Sequence, residues 1–408
     1  MTTLTLTLTD IAHGGSAVGR DDNGRPVFVP YAIPGERVRV AVTQDKGRFA
    51  RAELLELLQP SPDRVEPRCP HFGLCGGCHF QHVAYARQLQ LKRAVVVDQL
   101  QRIGGFKQVD VPPTRPHPQP WDAGCALALS PAPGGGLGLW APRERRVLPI
   151  ETCHIVQPAL RELLADVDLE LPGLRRLTLR VDSAEQLLAA LEVEDVEPPA
   201  LTVDFPLSVA IVLPDQTAAA LIGDPYLVYR VRARDFRVSP GCFFHPSPAT
   251  AELLLDALLE LAGLRPHETV LELYSGVGTF TAFLAAAADA VAAVEINPDA
   301  VADAAANLAD TDNVSVLLGA AEEIAPLLDV QPDVLVAHPD DDGLPAPVLE
   351  SLRHLAPRRL LYVSSDIATL ARDGRALARL GFRLSAVQPV DGRPQTYHVD
   401  TVSRWERR

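Results

Sequence analysis

The chain has 408 residues, of which 47% are hydrophobic and 22% charged, with a formal net charge of -14. That length buries more core than one ordinary domain and predicts two or three. It contains no apolar run of about 18 residues to span a bilayer as a helix, and its acid surplus excludes wholesale coating of nucleic acid, which rests on Lys and Arg.

The N-terminal MTTLTLTLTD alternates like a strand and lacks the basic start and apolar stretch of a signal peptide. A soluble, cytoplasmic chain with reduced thiols and no membrane partner is therefore expected. The charge is uneven: residues 1–110 carry 14 basic and 11 acidic side chains, the remainder 24 and 41. Any nucleic-acid contact should favour the front end.

Residues 1–58 read as short strands broken by turns, with Asn23-Gly24 as a hairpin signal and RVRVAV placing arginine on one face and valine on the other. A small closed barrel of the OB type fits, and such barrels bind oligonucleotides through faces and loops. Arg20, Arg25, Lys46, Arg48 and Arg51 are its candidate contacts, each weighed against an ordinary solvated face.

Three of the six cysteines follow within ten residues, as Cys69, Cys75 and Cys78 in CPHFGLCGGC, and Cys153 comes about 75 residues later in ETCHI. Gly73, Gly76 and Gly77 let this backbone fold around a small object, as iron-sulfur ligation requires. Four thiolates suit one [4Fe-4S] cluster. Zinc and unligated thiols stay open, although zinc loops space paired cysteines by about two to four residues and here the first gap is five. Cys125 and Cys242 read as buried small hydrophobes, and His71, His79 and His82 as solvated or packing side chains.

The stretch VAYARQLQLKRAVVVDQLQRIGG spaces its apolar residues like an amphipathic helix over about 83–103 that stops at Gly104-Gly105. It is expected to pack on the C-terminal domain. From about 120 to 235 the text is mostly strand-like, a second antiparallel unit closing around Cys153; the domain bounds are 1–58, 59–235 and 236–408. Beyond 240, apolar strands alternate with alanine-rich helices in the pattern of a doubly wound parallel sheet.

In that last part the strand TVLELYSGVGTF runs into the helix TAFLAAAADA, and the next strand, AVAAVEIN, ends in Glu295. Gly276 and Gly278 permit a tight turn and close approach of a cofactor, while an acid ending the second strand accepts ribose hydroxyls. The loop lacks a third glycine and a P-loop lysine, which leaves S-adenosylmethionine as the preferred ligand.

LYVSSDIATLARD, QPVDGRPQTYHVDTV and VSPGCFFHPSP resemble the RNA uracil-C5 methyltransferases that carry an N-terminal TRAM domain, the TrmA/RumA type, and the resemblance covers nearly the whole chain. It implies an α/β protein: a TRAM OB-barrel, a mostly β central domain holding a [4Fe-4S] cluster on Cys69, Cys75, Cys78 and Cys153, and a Rossmann-like class I methyltransferase domain. Its partner would be structured ribosomal or transfer RNA, met by a monomer, with the target uridine flipped into the site.

The implied chemistry begins with a thiolate adding to carbon 6 of uracil, because carbon 5 is a poor nucleophile; carbon 5 then takes the methyl group and a carboxylate removes its proton. The family reads YVSCNP where this chain has Tyr362 to Ile367, so Ser365 stands at the nucleophile. The family's DPPR-x-G is here His338, Pro339, Asp340, Asp341, Asp342 and Gly343, and the glutamine after Phe243-Phe244 is His245. Asp400 takes the place of the glutamate base, with His398 beside it, whereas Glu272, Tyr274, Gly276, Gly278 and Glu295 keep close to the cofactor pattern. The expectation is a catalytically degenerate, RNA-binding member. Its alternatives are an active methyltransferase using Ser365 activated by His338, and a structural or redox iron-sulfur protein.

Overall fold

The computed structural model describes residues 2–167, 169, 171–194 and 203–407. The first five strands, Thr3–Ile11, Ala17–Arg20, Pro26–Val29, Arg37–Asp45 and Ala50–Gln59, close into a barrel. Alternation builds it: Val38 and Val40 are buried while Arg37 and Arg39, alternating with them, are exposed. Two of the candidate contacts are consumed inside the barrel. Arg25 pairs with Asp21 and Asp45, and Arg20 donates to the carbonyl of Gly24.

The helix Tyr85–Arg102 forms as its spacing predicts. It lays Leu91, Val95 and Leu100 against Leu370, Ala371 and Trp405 of the C-terminal part, so the helix does pack there. It also buries Lys92 completely, with 0% of the side chain exposed, against Asp391, which is equally enclosed. Two charges leave water together because neither is tolerable there alone. Lys92 donates as well to the carbonyl of Arg393 at 3.0 Å, and Gln88 and Gln395 exchange two hydrogen bonds beside it. This one helix fixes the loop from Asp391 to Gln395.

The central part is a seven-stranded sheet. Its neighbours are antiparallel except Leu187–Val193 with Ser208–Val212, which run parallel, so the unit is not the purely antiparallel one expected. The ribbon of Leu227–Val231 and Arg234–Val238 bridges it to the last part, contributing Tyr229 to one core and Phe236 to the other.

The C-terminal sheet also has seven strands, five of them parallel, with Asp400–Arg407 inserted antiparallel beside Arg359–Ser364. Strands such as Val334–Ala337 are buried throughout, as in a sheet covered on both faces. No helix among the described residues is long and apolar enough to cross a membrane.

Candidate active site

A cavity of about 870 Å³ opens where the central and C-terminal parts meet, and the carboxyl ends of the parallel strands form its floor. At one end, strand Thr269–Leu273 turns through Tyr274–Gly278 into the helix Thr279–Ala285. Tyr274, Gly276 and Gly278 all have positive φ, at 65°, 58° and 81°. A Cβ on Gly276 would meet nothing within 4 Å, so this glycine leaves open space beside the cavity.

Glu295 sits opposite that turn. One carboxylate oxygen accepts the amide of Gly276 and the other that of Asn297, each at 2.8 Å. Each oxygen keeps a further lone pair for a diol. Ile296, 63% exposed, presents an apolar surface next to it. The hairpin turn Pro214–Gln216 of the central sheet closes the same end from above. That turn escapes sequence reading because it lies some 80 positions from the residues it faces.

Two of the residues given to the cofactor stand elsewhere. Glu272 is buried behind the turn and accepts a hydrogen bond from Thr281 at 2.7 Å; burial pushes its carboxyl up to about 8, with the charge of Glu295 adding. Gly278 packs against Leu308 and Ala304 rather than the cavity. Both support the turn without lining the space. Tyr274 does line it, yet its hydroxyl is enclosed without a hydrogen-bond partner.

At the other end Ser365 lies one residue before the N-cap of the helix Ile367–Arg379, where Asp366 accepts the amide of Thr369 at 2.7 Å. The Ser365 hydroxyl donates to the carboxylate of Asp341. It has no bond to His338 among the described residues, so the serine-histidine pair is not formed. His338 instead joins a triangle of rings with His245 and Phe280, at centroid distances of 5.5 and 5.7 Å from it and 5.2 Å between those two, with the exposed Phe243 edge-on to it. Burial pushes His338 down to about 4 and His245 well below its usual value. Both imidazoles are therefore neutral at pH 7, and they form a flat aromatic wall, not a proton relay.

Asp400 lies in the cavity wall, buried and bonded to Arg393 at 3.1 Å. Burial raises its pKa and the Arg393 guanidinium opposes that rise. Gly392 leaves room for this carboxylate, because a Cβ there would stand 2.2 Å from its oxygen. Arg393 was missed in the sequence; its only signal is a lone cation between Asp391 and Asp400. His398 stacks on Tyr397, 4.2 Å between centroids, and burial pushes it down to about 3. His13 of the barrel reaches Asp366 at 3.2 Å, so the first domain touches the loop that carries Ser365.

The four clustered cysteines line a second cavity of about 170 Å³, against the strand Ala126–Pro131 and Leu139. Burial pushes the Cys75 thiol up, Cys78 to about 12 and Cys153 to about 11. All six cysteines are free of disulfides. No group of three or more His, Cys, Asp or Glu with the closeness of ligands to a single ion occurs among the described residues. His82 and His79 pack inside, as expected, both pushed down to about 4 by burial. Cys125 and Cys242 are buried.

Comparison with known proteins agrees with this architecture. Residues 2–55 match the TRAM domain, and residues 225–334 match the tRNA (Uracil-5-)-methyltransferase family. An uncharacterised RNA methyltransferase of Chlorobaculum tepidum is 31% identical, with 98% of this chain and 96% of the relative aligned. One from Halalkalibacterium halodurans is 32% identical over 98% and 95%. The crystal structure of the Pyrococcus abyssi tRNA (uracil-54, C5)-methyltransferase with S-adenosyl-L-homocysteine shares the fold, with a TM-score of 0.76 and 22% identity over 98% of this chain and all of that one. Barrel, sheet order and whole-length kinship together place this chain in the TRAM-containing tRNA (uracil-5-)-methyltransferase family.

Proposed function

We propose that this protein binds S-adenosylmethionine and RNA in the manner of its family but does not form 5-methyluridine by the ordinary covalent route. The observation that carries the reading is the hydrogen bond from Ser365 to Asp341. A hydroxyl ionises far less readily than a thiol, and a neighbouring carboxylate disfavours the alkoxide further by like charge. A carboxylate is in general too weak a base to take the proton of a hydroxyl, and the neutral stacked His338 is turned to other partners.

The cofactor end supports binding. Glu295 would hold the ribose hydroxyls, the backbone at Gly276 would admit close approach, and Ile296 would cover the base. S-adenosylmethionine, when bound, supplies an electrophilic methyl group. Asp400 is the carboxylate available to accept a proton, and Arg393 orients it.

The cysteine cavity fits a [4Fe-4S] cluster on Cys69, Cys75, Cys78 and Cys153. Four thiols converge on one small space, and burial would keep those of Cys75, Cys78 and Cys153 protonated unless a positive centre draws the protons off. A cluster spreads its thiolates wider than a single ion does, in keeping with the lack of a single-ion ligand group. Bound there, it would staple the cysteine loop to the central sheet. A purely structural or redox iron-sulfur protein is the second reading, favoured by this cavity alone.

Anaerobically purified protein, labelled S-adenosylmethionine and total ribosomal and transfer RNA give the test, with Ser365→Cys beside the natural protein. The expected result is micromolar cofactor binding without labelled 5-methyluridine. Robust labelling at carbon 5 by the natural protein would overturn the proposal, and an activity unchanged in Ser365→Ala would remove Ser365 from it. Failure to bind the cofactor would leave the structural reading.

A further inference from the structure

The hairpin of Leu137–Ala141 and Arg146–Pro149 stands at the edge of the central sheet, away from the strands that line the catalytic cavity. Its sequence, LWAPRERRVLP, concentrates three arginines and a tryptophan in a chain that is strongly acidic overall. The chain has three tryptophans. Trp405 is wholly buried, Trp121 lies under the guanidinium of Arg68, and Trp140 is 55% exposed. An indole left in water beside cations is what a base-stacking platform requires.

The hairpin is tied to its neighbours on two sides. The carbonyl of Trp140 accepts the amide of Gly76 at 3.0 Å, and a Cβ on Gly76 would stand 2.9 Å from that carbonyl, so the cysteine loop and the hairpin are in close contact. Leu74 of the same loop is also exposed. At the tip, Arg143 pairs with Glu53 of the barrel strand Ala50–Gln59. Arg51 lies two positions earlier on that strand, hence on the same face, and is exposed. Arg145 and Arg146 are exposed and have no carboxylate partner among the described residues; Glu144, between Arg143 and Arg145, is the one acid of the turn.

We propose that this hairpin is a docking surface for single-stranded RNA, where an unpaired base stacks on Trp140 while Arg145, Arg146 and Arg51 neutralise neighbouring phosphates. The inference rests on the RNA-acting reading above and adds to it a place outside the catalytic cavity. It also meets the repulsion of the acidic whole, because local positive charge gathers where the barrel and the central part join.

The full-length protein is titrated with an unstructured, dye-labelled oligouridylate of about 12 nucleotides, a length within the range that stacking folds engage. Binding is read by anisotropy and, with unlabelled oligomer, by tryptophan fluorescence. Binding with quenching is expected, since Trp140 is the exposed fluorophore. Trp140→Ala should weaken binding about tenfold or more and abolish the quench, with Trp140→Phe restoring most of the affinity. The double variant R145E/R146E should weaken binding and lower the slope of log affinity against log salt by about two. If both variants bound like the natural protein, this surface would be overturned and the RNA-acting reading would stand. If the natural protein bound no RNA, both would fall.

Discussion

The two ends of the large cavity are built from one sheet yet differ in kind. At the Glu295 end most of the polar groups have a local reason, the turn Pro214–Gln216 excepted: Glu295 and Asn297 are two positions apart, and the Gly276 turn follows directly from its strand. At the Ser365 end the contacts come from afar. Asp341 reaches Ser365 across 24 positions, and the aromatic wall joins residues near 245, 280 and 338. The first end is shaped mainly by backbone geometry, which tolerates drift in side chains. The second depends on particular side chains in particular places.

The largest effect should come from the pillar under the reacting end. Lys92→Met leaves the Asp391 carboxylate buried without its cation, at a cost of about 3–5 kcal/mol, measurable as a lower denaturant midpoint. Adding Asp391→Leu should recover much of the loss. If Lys92→Met were neutral, the two ends would not differ in their dependence on distant support.

Next in size is the cofactor end itself. Glu295→Ala should weaken S-adenosylmethionine roughly tenfold to a hundredfold in titration calorimetry, the worth of one or two hydrogen bonds to a charged group, while Ser365→Ala leaves it unchanged. Equal loss in both variants would erase the division.

The smallest effect per pH unit tests what lies behind the turn. Glu272 is pushed up to about 8 in the folded protein, above the roughly 4.3 of an unfolded chain. The folded state therefore binds the extra proton, and stability contributed by the neutral carboxyl is present below pH 4 and lost as pH rises toward 8. The slope is at most about 1.4 kcal/mol per pH unit. Glu272→Gln should flatten it, and thermal midpoints between pH 5 and 8 would read the difference.

Much of this was legible in the chain. Alternating valine and arginine marked the barrel, and glycines between an apolar strand and an alanine-rich helix marked the cofactor turn, because both signals are local. Glu272 deceived for the same reason: proximity to the turn resembles membership of the site, while strand alternation sends its side chain behind the turn to Thr281. Ser365 was visible where the resembling family reads cysteine, but its partner Asp341 was not, nor the bond of Arg393 to Asp400, since both depend on how separate strand ends meet. The parallel pairing inside the central sheet was equally hidden, register being a long-range property.

The enclosed pair of Lys92 and Asp391 also sets a clock. Its members are 299 positions apart, so a ribosome adding about 5–20 residues per second needs roughly 15–60 s to travel from one to the other. Throughout that interval the nascent helix carries a cation with no interior to receive it. The barrel can close early, but the helix beside it docks only once Asp391 has been made, so premature stops before Asp391 release a chain whose first domain is finished and whose joint is not.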